Sequence, residues 1–353
     1  MKALLKMILP FLFLLLVGVF SCREGAMPNK TSTPAGEEIT SNTTPSEPPF
    51  EILGTIPEGE QIIYSYMPDV ASRPIVRSMR PDGSEKVDIM SVRPGLGSDP
   101  RLSPDGKKIV FAVPDPIGAD IRETPESTLS FGLGLHHLFL IEGSRGVQLT
   151  GLQERNIWDT PDAWSKDGRT IFFTHMANIH VDFVEQSILR DPYEVWAIGA
   201  DGSNPHKISQ GGLWDISPDG KTLSVYDDYG STDLMNTDGS NRRRLREDTK
   251  ACFFSPNGVH LACLDLVTQN IILIDLEGNL LKELTHNIIA PPGYSFSPDG
   301  KWLAYVEMRG NAMEIWKLPI DGSSPPVRLA NEGFWNLYPQ WTGKRGNRSA
   351  IPQ

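Results

Sequence analysis

The strongest constraint on this chain is a turn that it repeats. Ser297-Pro298-Asp299-Gly300 follows an apolar residue, Phe296, and leads into the alternating run Trp302-Leu303-Ala304-Tyr305. Proline presets φ for the second turn position, the Asp side chain bonds its own backbone, and glycine takes the positive φ that closes the turn. The tetrapeptide therefore predicts a tight hairpin between two strands. The same punctuation occurs at Pro57-Glu58-Gly59, Ser103-Pro104-Asp105-Gly106, Ser165-Lys166-Asp167-Gly168, Ser217-Pro218-Asp219-Gly220 and Ser255-Pro256-Asn257-Gly258. A second turn follows in every unit, at Pro81-Asp82-Gly83, Glu142-Gly143, Asp201-Gly202, Asp238-Gly239, Glu277-Gly278 and Asp321-Gly322.

Four short strands per unit, at a spacing of about 40 residues or more, predict an all-β chain folded as a six-bladed β-propeller of four-stranded blades. Blades are expected near 51–91, 92–150, 151–209, 210–246, 247–285 and 286–330, within a propeller spanning 50–343. Leu102, Trp164, Ile216, Phe254 and Phe296, each just ahead of a first turn, are positioned to fill the space between blades. Tyr338-Pro339-Gln340-Trp341 reads as the start of a seventh unit that does not continue, with 344–353 as a tail. Residues 334–342 are thus expected to supply the missing inner strand of blade one and close the ring. The alternative is that Phe50 to Thr55 is that strand and the C-terminal segment is a cap.

These Ser-Pro-Asp-Gly units resemble the TolB-type propeller repeats, which also occur in the propellers of prolyl-oligopeptidase-like enzymes. The resemblance covers about residues 51 to 343 and implies fold far more than function. A TolB protein carries a further domain ahead of its propeller, and here a tether occupies that place. No Gly-x-Ser-x-Gly nucleophile elbow occurs in the sequence, so the resemblance does not extend to a peptidase.

The first residues point to export. Lys2 and Lys6 precede an almost unbroken apolar run from Met7 to Phe20, too short to span a bilayer comfortably, and then Ser21-Cys22. Residues 1–21 resemble a bacterial lipoprotein signal, which implies lipidation of Cys22 and a membrane-anchored lipoprotein facing the periplasm or cell surface. Residues 22–49, rich in Ser, Thr, Pro and Glu, read as a disordered tether. With 33 Lys and Arg against 44 Asp and Glu, net charge −11, a nucleic-acid partner is not expected and membrane contact is through the lipid alone. Arg242-Arg243-Arg244 with Arg246 reads as a solvated strand face.

If both tight turns of each blade lie on one face, the longer connections lie on the other, and long loops on one rim of a rigid scaffold are where binding surfaces sit. The long connections 114–134 and 177–192 make this second face, near blades two and three, the expected site. Its candidate binding residues are Asp115, Asp120 and Arg122 in blade two, and Trp158, Asp159, His175, His180, Asp182 and Glu185 in blade three. Blade four adds Asp228 and Tyr229, and blade six adds Glu307 and Arg309. Acids beside aromatics suit a sugar, a peptide or a cation. His175, His180 and Asp182 could hold a divalent cation, but their spacing matches no metal motif, and no cofactor is expected. Asp227 and Asp228 are adjacent strand residues on opposite faces and cannot form an acid dyad. If Phe254 lies opposite Leu261, Cys252 lies opposite Cys263. An exported chain permits a disulfide there, but direct opposition often strains the bond, so a bridge and two buried thiols both stay open, with the thiols favoured. Two functions follow: a monomeric, non-enzymatic scaffold recognising a protein, peptide or glycan of the cell envelope, or a polysaccharide-active lyase or glycosidase using the histidines and acids of blades two and three.

Overall fold

The computed structural model describes residues 50–69, 72–92, 99–114, 136–151, 157–178, 180–182, 187–227, 230–286 and 293–343, with backbone alone at 114, 180–182 and 187–189. The signal segment, Cys22 and the tether lie outside the described residues. Every regular element among those described is a strand. In unit five, Thr249–Phe254, His260–Asp265, Ile271–Asp275 and Leu280–Glu283 pair antiparallel in sequence order, and Gly212–Ile216, Thr222–Tyr226, Thr232–Asn236 and Arg243–Arg246 do the same in unit four. Units two and three share one sheet through a parallel bridge, His136 to Trp158, and units six and one share another through Met313 and Trp335.

The repeated turn is held by one bonding pattern. In unit four, Ser217 Oγ donates to Asp219 Oδ1 (2.6 Å) and accepts from Thr222 N (2.9 Å), while Gly220 N donates to Ser217 O (2.8 Å) with Gly220 at φ +78°. Ser103, Ser165, Ser255 and Ser297 repeat it, with Asn257 standing in for the carboxylate in unit five. The seryl hydroxyl holds the Asp105, Asp167 and Asp219 carboxyls below the usual carboxylate range. These aspartates are therefore structural.

Six apolar clusters form the core, and each joins two neighbouring units rather than the interior of one. Ile62, Tyr64 and Met79 pack on Val306, Ile315 and Leu329, for instance, and Leu234 and Leu245 pack on Phe254 and Ile272. Leu102, Trp164, Phe254, Phe296 and Trp341, at equivalent places before their turns, are each at most 8 % exposed. Burying such side chains stabilises by about 1.5–3 kcal/mol each, so the unit-to-unit seams dominate the stability. The arginine cluster sits on the exposed edge strand of unit four, but its cations are engaged. Arg242 and Arg244 flank Asp233, while Arg243 and Arg246 donate to Leu276 O (2.6 Å) and Gly278 O (3.0 Å) of unit five.

Unit one takes its strands from both ends of the chain. Trp335–Thr342 pairs antiparallel with Gln61–Met67, placing Trp341 opposite Ile62. Phe50–Ile52 lies at the other edge of the same sheet, beside Val87–Val92, which corrects the alternative that residues 50–55 supply the inner strand. The physical reason is Phe50. Its ring wedges edge-on against Phe111 (5.3 Å) and Phe139 (5.8 Å) of unit two, in a slot that exists because residue 146 is glycine; a Cβ there would lie 2.1 Å from the Phe50 ring.

The cysteine expectation is also corrected: Cys252 and Cys263 are joined in a disulfide. The opposed register assumed from sequence is broken by a bulge. Lys250 pairs with Leu264 and Phe253 with Ala262, so Ala251 (φ +51°) and Cys252 together face Cys263. The extra residue offsets the two cysteines from direct opposition.

Candidate binding site

A funnel of about 1410 Å³ opens on the tight-turn face, walled by residues from all six units. The first turns form its collar. A Cβ added at Gly168, Gly220, Gly258 or Gly300 would stand 3.5–3.7 Å from Pro104, Lys166, Pro218 or Pro256 of the preceding unit, so each turn rests on its neighbour.

Below the collar the inner strands meet mainly through side chains. Leu102 N donates to Gln340 Oε1 (2.6 Å), Phe254 N to Asp215 Oδ2 (2.8 Å) and Trp341 N to Ser295 Oγ (3.0 Å). A polar residue two or three places before the turn in one unit thus satisfies an otherwise unpaired backbone donor in the next. Four inner strands also carry a bulge: Asp162 is the extra residue between Pro161 and Ala163, Trp214 between Leu213 and Asp215, and the remaining two lie at Ala251-Cys252 and Tyr338-Pro339. Bulges re-aim side chains, and Asp162, Trp214 and Tyr338 all line the funnel.

The wall mixes charged and aromatic groups. Units two and three contribute Asp99, Arg101 and Asp162 with Trp164; units four, five and six and the C-terminal strand contribute Trp214, Phe253, Tyr294 and Tyr338 with Asp215. Arg101 ion-pairs with Asp99 and donates through Nε to the Asp162 backbone carbonyl (3.0 Å), while its own carbonyl accepts from Trp164 Nε1 (3.1 Å). Asp162 Oδ2 accepts the Thr174 hydroxyl (2.7 Å). Burial pushes the Asp99 carboxyl up against the opposing pull of Arg101, and burial together with the Asp99 charge pushes Asp162 well above the usual carboxylate range. Of the aromatic residues, Trp214 stacks on Tyr226 at 4.3 Å and Phe253 meets Tyr294 edge-on at 5.1 Å. Among the described residues the lining contains no histidine or cysteine; Ser103 and Ser217 are committed to their turns and Ser295 to Trp341.

The site expected from sequence lies on the opposite rim, and the structure brings its residues together in two separate pairs. Trp158 and Asp159 start the inner strand of unit three, and His175 ends the next strand beside them. His175 Nδ1 bonds Asp159 Oδ1 at 2.7 Å, both side chains being buried, and the His175 ring lies 5.1 Å from Trp196. In unit six, buried Glu307 accepts from Arg309 Nε at 2.6 Å, and Arg309 lies over Trp316. His180–Asp182 pairs with Ser187–Leu189 in a separate two-stranded ribbon. Asp115, Asp120, Arg122, Glu185, Asp228 and Tyr229 lie outside the described residues. Among the described residues no group of three or more His, Cys, Asp and Glu side chains is placed to hold a metal ion.

The sequence does not single out the funnel residues, because loop length points to the opposite rim. One signal for them was present: Pro100, Pro161 and Pro339 fall in or beside inner strands, and a proline in a strand marks an edge or a bulge.

This architecture is that of a β-propeller. The chain is similar to TolB of Acinetobacter baumannii (18 % identity, TM-score 0.61, covering 82 % of this chain and 68 % of that one). It is also similar to a chain of a nidogen/laminin complex (13 %, TM-score 0.57, 81 % and 99 %) and to a protein assigned as TolB in Agrobacterium tumefaciens (14 %, TM-score 0.51, 81 % and 99 %). In sequence it resembles an uncharacterised protein of Agrobacterium fabrum, 24 % identical over 204 residues, a match spanning 52 % of this chain and 64 % of that protein's length. No protein-family model matches the chain.

Proposed function

We propose that this protein is an exported, non-enzymatic binding propeller that recognises a protein, peptide or glycan of the cell envelope through the funnel on its tight-turn face. The observation that carries the reading is the funnel itself: a large concavity walled by every unit, lined by both aromatic and charged side chains, whose serines are all committed to structural bonds. In this reading the six units form a six-bladed ring closed by Trp335–Thr342, which supports a rigid rim around a central opening. Lipidation at Cys22 and the 22–49 tether hold the monomeric ring at the membrane. Export is supported by the Cys252–Cys263 bridge, since disulfides persist in oxidising compartments.

The test is affinity capture from the native envelope by three tagged chains: unaltered, Trp214→Ala, and deleted for 177–192. Capture lost with Trp214→Ala and kept with the deletion is the expected outcome. The reverse pattern would move the site to the opposite rim, and turnover of an envelope polysaccharide by the unaltered chain would replace the scaffold reading with an enzymatic one.

A further inference from the structure

The funnel's charges do not balance. Its lining holds six carboxylates, Glu58, Glu60, Asp99, Asp105, Asp162 and Asp215, against the cations Arg101, Lys107 and Lys166. Asp105 and Lys107 belong to a turn and Lys166 to the collar, so among the described residues the deeper wall has Arg101 as the one cation among its acids. Arg101 is spent on Asp99, which is 92 % buried. Asp162 receives the Thr174 hydroxyl and, among the described residues, no ion pair. Holding a carboxylate in such a place without a cation is costly unless something else compensates it. The same lining carries Trp214, Phe253, Tyr294 and Tyr338, with Tyr338 close enough to Asp99 and Arg101 to feel their charges, and the faces of such rings attract cations.

We infer that the funnel accepts a protonated lysine or arginine side chain of its partner, seated against Asp99, Asp162 and the aromatic rings of the lining. The inference rests on the funnel being the binding site. Such a side chain supplies the positive charge that Asp162 lacks, and its aliphatic stem packs on the rings. An anionic ligand meets carboxylates on entering, and a neutral ligand does not favour the ionised form of Asp162.

Binding of a cation favours ionised Asp162 and so displaces its proton. Asp162 is faced by Asp99 and Arg101 of unit two, Thr174 of its own unit and Tyr226 of unit four. The affinity is therefore expected to rise with pH above the ordinary carboxylate range, near pH 4, and to be accompanied by proton release.

The experiment titrates the disulfide-intact chain with capped Gly-Gly-Arg-Gly-Gly, with its citrulline and glutamate counterparts, and with maltotriose, read by calorimetry in buffers of different ionisation enthalpy. The expected result is binding of the arginine peptide about tenfold or more tighter than the citrulline peptide, with proton release. The preference and the release are both lost in Asp162→Asn, whose cooperative thermal unfolding reports an intact fold, and Asp99→Asn is the second variant. Equal binding of the citrulline peptide, tighter binding of the glutamate peptide or maltotriose, or no saturable binding of the arginine peptide would overturn the inference. Envelope capture separates the two levels of the claim. Capture abolished by Trp214→Ala without an arginine preference sinks the cation alone, whereas capture unaffected by Trp214→Ala sinks the funnel as the site.

Discussion

Ser217 shows how much one hydroxyl can hold. It donates to Asp219, accepts from Thr222 N and sits 8 % exposed. Ser217→Ala leaves Thr222 N without that acceptor and is expected to cost about 1–2 kcal/mol, measured by denaturant unfolding. Asp299→Asn should leave Tm unchanged, because the amide oxygen can take both bonds that Asp299 Oδ1 accepts, as Asn257 does in unit five. The cysteines make a sharper case. In unreduced, unfolded protein neither Cys252 nor Cys263 should react with a thiol reagent. Replacing both with alanine opens a loop of sequence separation 11 and is expected to cost about 2–4 kcal/mol. A reactive pair of thiols would contradict the bridge.

At the scale of the strand, the irregular positions carry the interest. A regular inner strand would send alternate side chains toward the neighbouring units, and the bulges at Asp162, Trp214 and Tyr338 interrupt that alternation. The bonds between inner strands follow the same economy, since Gln340, Asp215 and Ser295 each cap a backbone donor of the next unit. Gln340→Leu removes the acceptor of Leu102 N and should destabilise by about 1–3 kcal/mol; an equal unfolding midpoint would mean that this junction needs no acceptor. Asp162→Asn is expected to act in the other direction. Its folded-state carboxyl is raised by burial, so the folded chain binds the proton more tightly than the unfolded chain does. That favours the fold at low pH and is lost as pH rises through the folded-state value. The asparagine variant should therefore be more stable than the parent at neutral pH and lose the decline in stability above about pH 4.

For the molecule as a whole, both ends of the described chain meet in one sheet. Truncation after residue 334 removes the partner of Gln61–Met67 and takes Trp335, Leu337 and Trp341 out of an apolar cluster. Loss of the cooperative thermal transition is the expected outcome, followed by circular dichroism, and a retained transition would show that unit one stands without that strand. The repeat made the architecture legible because each turn is a local event: Ser, Pro, Asp and Gly act within five residues of one another, so spacing alone marks the strands and the faces they present. The same locality explains the apolar residue before each turn and its place in a seam. The proposed binding site shares with the sequence reading only its kind, acids beside aromatics. Its position depends on bulges, and a bulge is the outcome of competition between two strands for register, which neither strand encodes separately. The Cys252–Cys263 bridge and the seat of Phe50 against Gly146 were decided in the same way, by a partner far off in sequence or by an extra residue in the ladder. Sequence by itself determined the repeating hairpin and the large residues that hold units together. Tertiary structure alone decided that Asp99, Asp162, Trp214 and Tyr338, spread over 240 residues, line one opening, because only the packing of unit against unit brings the ends of their inner strands together.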